Sequence, residues 1–261
     1  MKVTIIQTDV IWACPDKNVR NVQHLFDENA DSDLYVLPEM WATGFATEPH
    51  GIAENSDSIA LRWMRETAVK HSCAISGSLL ILDGDGKYRN RHYFVTPSGT
   101  FYYDKHHLFT YGHEDDYIMP GAEQIVVSWQ GRRFLLLTCY DLRFPLWARY
   151  GMAGEYDAII VVANWPEKRQ QAWRVLTRAR AVENQCFLIG VNRVGDDQFC
   201  HYCGESIVAD FNGGSLLTCE PEKEEAKTVE LDFSSLDHIR SRFRVLEDRD
   251  TNISFVRPDK A

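Results

Sequence analysis

Residues 158–163, AIIVVA, are apolar without a break. A strand with one wet face alternates apolar and polar residues, so a short unbroken run rich in β-branched residues reads as a strand covered on both sides. Comparable runs recur: VTIIQ (3–7), LYVL (34–37), CAISGSLLIL (73–82), YFVT (93–96), FLLLT (134–138), FLIGV (187–191) and SIVAD (206–210). Doubly covered strands need other layers on either side, and helix signals lie between the runs. Pro15 sits where a first helical turn tolerates it, followed by Val19, Val22 and Leu25 or Phe26 at helical spacing. Ser56 or Asp57 is placed to cap a helix carrying Ile59, Trp63 and Ala68, while Trp173, Leu176 and Ala179 form one stripe of a helix over 168–185. Alternating strands and helices predict an α/β fold. The β–β stretch over 73–104, with turn signals DGDG and PSG, makes the sheet mixed.

No repeat or low-complexity segment interrupts the chain, and one domain over about 1–235 is expected. EPEKEEAK (220–227) reads as a solvated turn, and residues 236–261 as a C-terminal extension packing on the domain or on a partner subunit.

Composition narrows the function classes. No apolar stretch approaches the roughly 20 residues that span a bilayer. In the opening MKVTIIQTDV, Gln7, Thr8 and Asp9 cut the apolar run short, so a strand is expected there rather than a signal peptide. Seven cysteines, an odd number without a secretory signal, favour reduced thiols and a cytoplasmic location. A formal charge of −10 without a Lys/Arg cluster repels phosphate backbones and anionic lipid, so neither nucleic acid nor membrane is an expected partner.

The stretch LLLTCYDLRFP (135–145) ends an apolar strand on Cys139 and continues into a charged turn. Two readings stand side by side at this point. Free cysteines are commonly buried core residues. A strand tip turning into a helix near Phe144 would instead expose the thiol and aim the Tyr140 N–H at an oxyanion. Because an ordinary thiol has a pKa of about 8.5, such a nucleophile also needs a base. DLYVLPEMWATGF (33–45) drives a strand into Pro38 and Glu39, next to Met40 and Trp41, and an apolar surround there would make Glu39 a better base. TFYYDKHHLFTYGHEDD (100–116) likewise ends a strand before Lys105 in an aromatic setting. Taken singly, Glu39 and Lys105 read as exposed charges.

Glu, Lys and Cys delivered by three strand ends in that order are more informative together. The segments LPEMWATGF, YDKHHLF…GHE and LLTCYDLRFP resemble the three signature segments of the nitrilase superfamily of carbon–nitrogen hydrolases, with the likeness running over roughly residues 1–235. The resemblance implies a four-layer α-β-β-α sandwich with mixed sheets, commonly as homodimers, with the helix near 168–185 and the C-terminal extension as candidate contacts. It implies Glu39 as general base, Lys105 as stabiliser of the tetrahedral intermediate, Cys139 as nucleophile and Glu114 as a supporting glutamate, with no cofactor. CYDLRFP, ANWPEKRQQAW (163–173) and RARAVENQCFLIGVNRVG (178–195) are similar to the omega-amidase branch, which hydrolyses the distal amide of small 2-oxo acid amides such as 2-oxoglutaramate. Such a substrate is a small anion, and an acidic protein needs a local cation to hold it. Arg143 can offer a carboxylate a planar bidentate fork, its position matching the branch's carboxylate-binding arginine. A salt bridge to Asp141 or a helix-start charge is its alternative use. Trp165 matches an aromatic wall of the pocket.

Three other readings compete. CHYC (200–203) has zinc-knuckle spacing, and His106, His107 and His113 lie near Glu114, but one CxxC without a second pair is a weak zinc signal and no metal is expected. A catalytically idle ligand-binding protein on the same fold is disfavoured because every acid, base and nucleophile position is filled. A nitrilase proper, an aliphatic amidase or a carbamoylase would keep the chemistry and change the substrate.

Overall fold

The computed structural model describes residues 1–250 except Ser56 and Ala153. The first half runs β1 (Lys2–Gln7), α1 (Pro15–Asp27), β2 (Leu34–Val36), α2 (Ile59–His71), β3 (Ala74–Leu82), β4 (Tyr88–Thr96) and β5 (Gly99–Asp104). The second runs β6 (Val126–Trp129), β7 (Arg132–Thr138), β8 (Ala158–Ala163), α3 (Gln170–Glu183) and β9 (Phe187–Asn192). A short hairpin follows, β10 (Val194–Asp196) with β11 (His201–Cys203), then β12 (Ile207–Ala209), β13 (Ser215–Thr218), β14 (Glu225–Glu230) and α4 (Phe233–Arg242).

Two six-stranded sheets result, ordered β14-β1-β2-β3-β4-β5 and β13-β12-β9-β8-β7-β6. In the first, β1, β2 and β3 are parallel, β14 and β4 run antiparallel to them, and β5, antiparallel to β4, runs with them again. In the second, β7, β8 and β9 are parallel and their flanking strands antiparallel. Mixed sheets are therefore found.

The apolar runs explain the layering, because successive side chains of a strand point to opposite faces. Val3, Ile5, Leu34 and Val36 of the first sheet meet Phe134, Leu136, Ile160 and Val162 of the second in one core. The intervening residues face outwards: Ile6 and Tyr35 pack with Val22 and Phe26 of α1 and Met64 of α2, and Leu135, Ile159 and Val161 pack with Trp173 and Ala181 of α3. Helix, sheet, sheet, helix is the order of layers.

Local signals account for the helix ends. α1 starts at Pro15, whose missing N–H is one that a first turn leaves unbonded anyway. α2 is capped by Ser58, whose hydroxyl accepts from the Leu61 N–H at 3.0 Å, in place of the expected Asp57; Ser56 lies outside the described residues. Part of 220–227 also differs from expectation: Glu225, Ala226 and Lys227 open β14, an edge strand paired to β1. Its charged side chains suit a sheet edge, where they deter further pairing. α4 buries Phe233 and Leu236 in the inter-sheet core, and the last eleven residues of the expected extension, 251–261, lie outside the described residues.

Candidate active site

Four strand ends converge at one side of the sandwich. Glu39 follows β2, Lys105 follows β5, Cys139 follows β7 and Asn164 follows β8. Ligand sites in open α/β sheets form at the carboxyl ends of parallel strands because the chain leaves the layers there and can splay its loops.

Cys139 stands at the tip of β7 with φ 44°, in the left-handed region that costs a residue with a β-carbon on the order of 1–2 kcal/mol. The neighbouring Asp141 over-determines this turn. Its carboxylate is fully buried; Oδ2 accepts from the Thr138 N–H at 3.0 Å and from the Tyr103 hydroxyl at 2.7 Å. Oδ1 accepts from the His107 N–H and Nδ1–H, both at 2.9 Å. Asp141 therefore ties the elbow of the second sheet to the loop after β5 of the first. No α-helix starts near Phe144: a 3-10 turn over Cys139–Arg143 ends in an extended Phe144, because Pro145 disfavours helical geometry in the residue before it.

Behind the thiol lies a buried charge cluster. Lys105 Nζ donates to Glu39 Oε1 at 2.9 Å and to Glu114 Oε2 at 2.8 Å, with all three side chains sealed from solvent. Asn90 of β4 spans the two carboxylates, donating Nδ2–H bonds to Glu39 Oε1 at 2.7 Å and Glu114 Oε1 at 3.0 Å. The orientation of its amide is set because Oδ1 accepts from the Ser78 hydroxyl at 2.9 Å, whose oxygen in turn accepts from the Met40 N–H at 2.8 Å. Asn164 closes the other side. Its N–H donates to Glu39 Oε2 at 2.8 Å, its Nδ2–H to the Glu39 carbonyl at 2.8 Å, and its own carbonyl lies 3.8 Å from Cys139 Sγ. The apolar surround expected for Glu39 is thus replaced by polar donors on both carboxylate oxygens.

The electrostatics follow from this packing. Burial, reinforced by the adjacent Glu39 and opposed by Lys105, pushes the Cys139 thiol well above its ordinary pKa, so the resting sulfur keeps its proton. Burial disfavours the Lys105 ammonium, but attraction from Glu114 and Glu39 outweighs it and the pKa is raised. Burial raises Glu114, with Lys105 pulling the other way and Glu39 adding to the rise. The arrangement presents a thiol that needs a proton acceptor, a carboxylate held beside it and a fixed cation.

Cys139 opens into a cavity of about 520 Å³, whose wall also carries Tyr140, Arg143, Asn164, Trp165 and Phe109; Glu39, Lys105 and Glu114 lie behind that wall. The Arg143 guanidinium lies 5.0 Å over the Trp165 ring and does not engage Asp141. His106 stacks on Trp147 and donates to the Gly121 carbonyl at 2.6 Å, while His107 stacks on Phe144. His113 faces Asp116 at the cavity wall. The last three residues of CHYC form the return strand of the β10–β11 hairpin, with His201 held between Asp196 and Glu222. Among the described residues no three His, Cys, Asp or Glu side chains group into a metal-binding set.

All seven site residues singled out from the sequence gather at this cavity or directly behind it. Asn90, Tyr103 and Asn164 were missed. Asn164 carries the same signal as Glu39, a polar residue directly after an apolar strand. Asn90 carries none, because RNR inside a strand looks like an exposed face.

The chain belongs to the carbon-nitrogen hydrolase family, which it matches over residues 2–241. It is 38% identical to the omega-amidase YafV of Yersinia enterocolitica, over 96% of this chain and 97% of that one. It is 30% identical to the 2-oxoglutaramate amidase of Bacillus subtilis strain 168, over 95% and 98% of the two chains. The crystal structure of XC1258 from Xanthomonas campestris, a CN-hydrolase superfamily protein with an arsenic adduct in its active site, superposes with a TM-score of 0.92 at 35% identity, covering 98% of this chain and 99% of that one.

Proposed function

We propose that this carbon–nitrogen hydrolase is an omega-amidase, converting 2-oxoglutaramate to 2-oxoglutarate and ammonia through a thioester on Cys139. The observation that carries this reading is the Asn164 bridge between base and nucleophile: its N–H donates to Glu39 and its carbonyl lies against the Cys139 thiol, in the wall of a cavity that also holds the Arg143 guanidinium. Relatives bearing the activity at full coverage support the choice of substrate.

In the first half-reaction Glu39 takes the thiol proton and the sulfur adds to the amide carbon. The Lys105 ammonium and the Tyr140 N–H hold the oxyanion, and Glu114 keeps Lys105 in place. As the C–N bond breaks, protonated Glu39 returns its proton to the leaving nitrogen, and ammonia departs. Glu39 then takes a proton from water, whose oxygen adds to the thioester carbon. Collapse frees the acid, and the proton on Glu39 returns to the sulfur. The Cys139 pKa, raised first by burial, makes the base necessary. Arg143 receives the substrate carboxylate as a bidentate pair, with Trp165 beneath it.

A cytoplasmic homodimer completes the reading. Seven free cysteines are consistent with a reducing compartment, and Val175 and Val182 on α3 and Phe243 after α4 are exposed apolar side chains available for a subunit contact. Ammonia release from 2-oxoglutaramate, 2-oxosuccinamate and neutral short amides tests the function. The two oxo acid amides should be turned over fastest, and Cys139→Ala should fall to background. Turnover confined to the neutral amides would overturn the omega-amidase reading.

A further inference from the structure

Arg143 is not the sole guanidinium on the cavity wall. Arg169 also lines it, laid 4.9 Å over the Phe109 ring as Arg143 is laid over Trp165. Neither forms an ion pair with a carboxylate among the described residues, whereas Arg174 and Arg180 nearby on α3 pair with Glu205 and Glu183. A stacked, unpaired guanidinium beside a nucleophile has its donor edge free for a ligand, and the aromatic face restricts where that edge lies.

The two rings are indexed to the reacting groups. The Phe109 N–H donates to Glu114 Oε2 at 2.7 Å, so the platform under Arg169 is tied to the buried charge cluster. Trp165 directly follows Asn164, and its indole N–H donates to the Arg169 carbonyl at 2.8 Å. One tryptophan thus carries the first guanidinium on its face and fixes the backbone of the second.

We infer that Arg143 and Arg169 grip the acid end of the substrate together, and that the pair separates a 2-oxo acid amide from the 2-amino acid amide of the same length. This deepens the omega-amidase reading and rests on it. A 2-oxo acid presents a carboxylate and an adjacent ketone oxygen, all acceptors, and two forks of N–H donors match that set. Glutamine presents an ammonium where the ketone would lie. That group only donates, and it would sit as a like charge beside a guanidinium. Arg143 takes the carboxylate, and Arg169 the ketone side.

The test is steady-state ammonia release by the wild type, Arg169→Met and Arg169→Lys on 2-oxoglutaramate, glutaramate and L-glutamine. Glutaramate keeps the carboxylate and lacks the ketone. Arg169→Met should lower kcat/KM for 2-oxoglutaramate by about 30-fold or more, chiefly through KM, because a hydrogen-bonding site left without its partner discriminates strongly. Glutaramate should lose less than about 5-fold, and the preference for 2-oxoglutaramate over glutamine should narrow by about 10-fold or more. Arg169→Lys, which keeps the charge and loses the fork, should retain the rejection of glutamine. Equal losses on all three substrates, or an unchanged oxo-to-amino ratio in an enzyme that still turns over 2-oxoglutaramate, would overturn the pair alone. A wild type inactive on 2-oxoglutaramate would remove the omega-amidase reading and the pair with it.

Discussion

At the residue scale, the site depends on a side chain that performs no chemistry. Asn90 is buried on β4 and supplies a neutral donor to the carboxylates of both Glu39 and Glu114. Burial raises the Glu114 carboxyl, and Lys105 and Asn90 counter that rise by stabilising the ionised form. Asn90→Leu keeps the branched shape and removes the donor. The Glu114 pKa should then climb further, so the acid limb of the kcat/KM profile should move to higher pH, with a plateau loss of about 10²-fold. A lower plateau with an unmoved limb would reduce Asn90 to a packing residue. Cys139 was legible in sequence only through its company. Alone it was equally a core cysteine, and it is in fact both largely buried and placed at a strained elbow.

At the element scale, the loop after β5 must hold Lys105 at a fixed height. Gly121 clamps it: its N–H donates to the Lys105 carbonyl at 2.9 Å, and a β-carbon at Gly121 would meet the Asp104 carbonyl oxygen at 2.1 Å. Backbone cannot retreat as a side chain does, so Gly121→Ala should displace Lys105 and cost at least about 10²-fold in kcat, a 1 Å misplacement sufficing for that. Activity within a few-fold of wild type, measured by ammonia release, would show that the loop shifts without moving the ammonium. The strands were legible where both faces are dry, as in AIIVVA, because such runs contain no polar residue to mislead. β14 was not, since EAKTVE at a sheet edge has the composition of a turn and only its partner β1 makes it a strand. The helix expected after Cys139 failed for a local reason, Pro145, whose effect on Phe144 outweighed the apolar residues beyond it.

At the scale of the whole molecule, the two sheets are locked together by more than apolar packing. His92 of β4 donates from Nδ1–H to the Leu137 carbonyl of β7 at 3.1 Å, with Ser76 Oγ 2.8 Å from Nε2. Burial lowers this imidazole from 6.5 to about 3. Between those values the unfolded chain binds a proton that the native state refuses, so stability rises with pH across that window. On acidification it falls by about 1.4 kcal/mol per pH unit from this group, with no further loss below the folded pKa. His92→Asn, which cannot take up that proton, should flatten the dependence of urea-unfolding free energy on pH between 6.5 and 3, and an unchanged slope would assign the acid sensitivity elsewhere. Strands covered on both faces were legible from the unbroken apolar runs and the layer order from the motif resemblance, but the cross-sheet links through His92 and Asp141 were not, because single polar residues within strands and turns do not reveal their distant partners. On the proposed mechanism, this scaffolding presents the Cys139 thiol to the amide carbon. The most direct measurement is the intact mass of the enzyme, acid-quenched during turnover of 2-oxoglutaramate, with the modified peptide mapped. A mass gain equal to the substrate less ammonia, carried on Cys139 and absent in Cys139→Ala, is the result expected. Ammonia release persisting in Cys139→Ala, or an adduct on another of the seven cysteines, would contradict it.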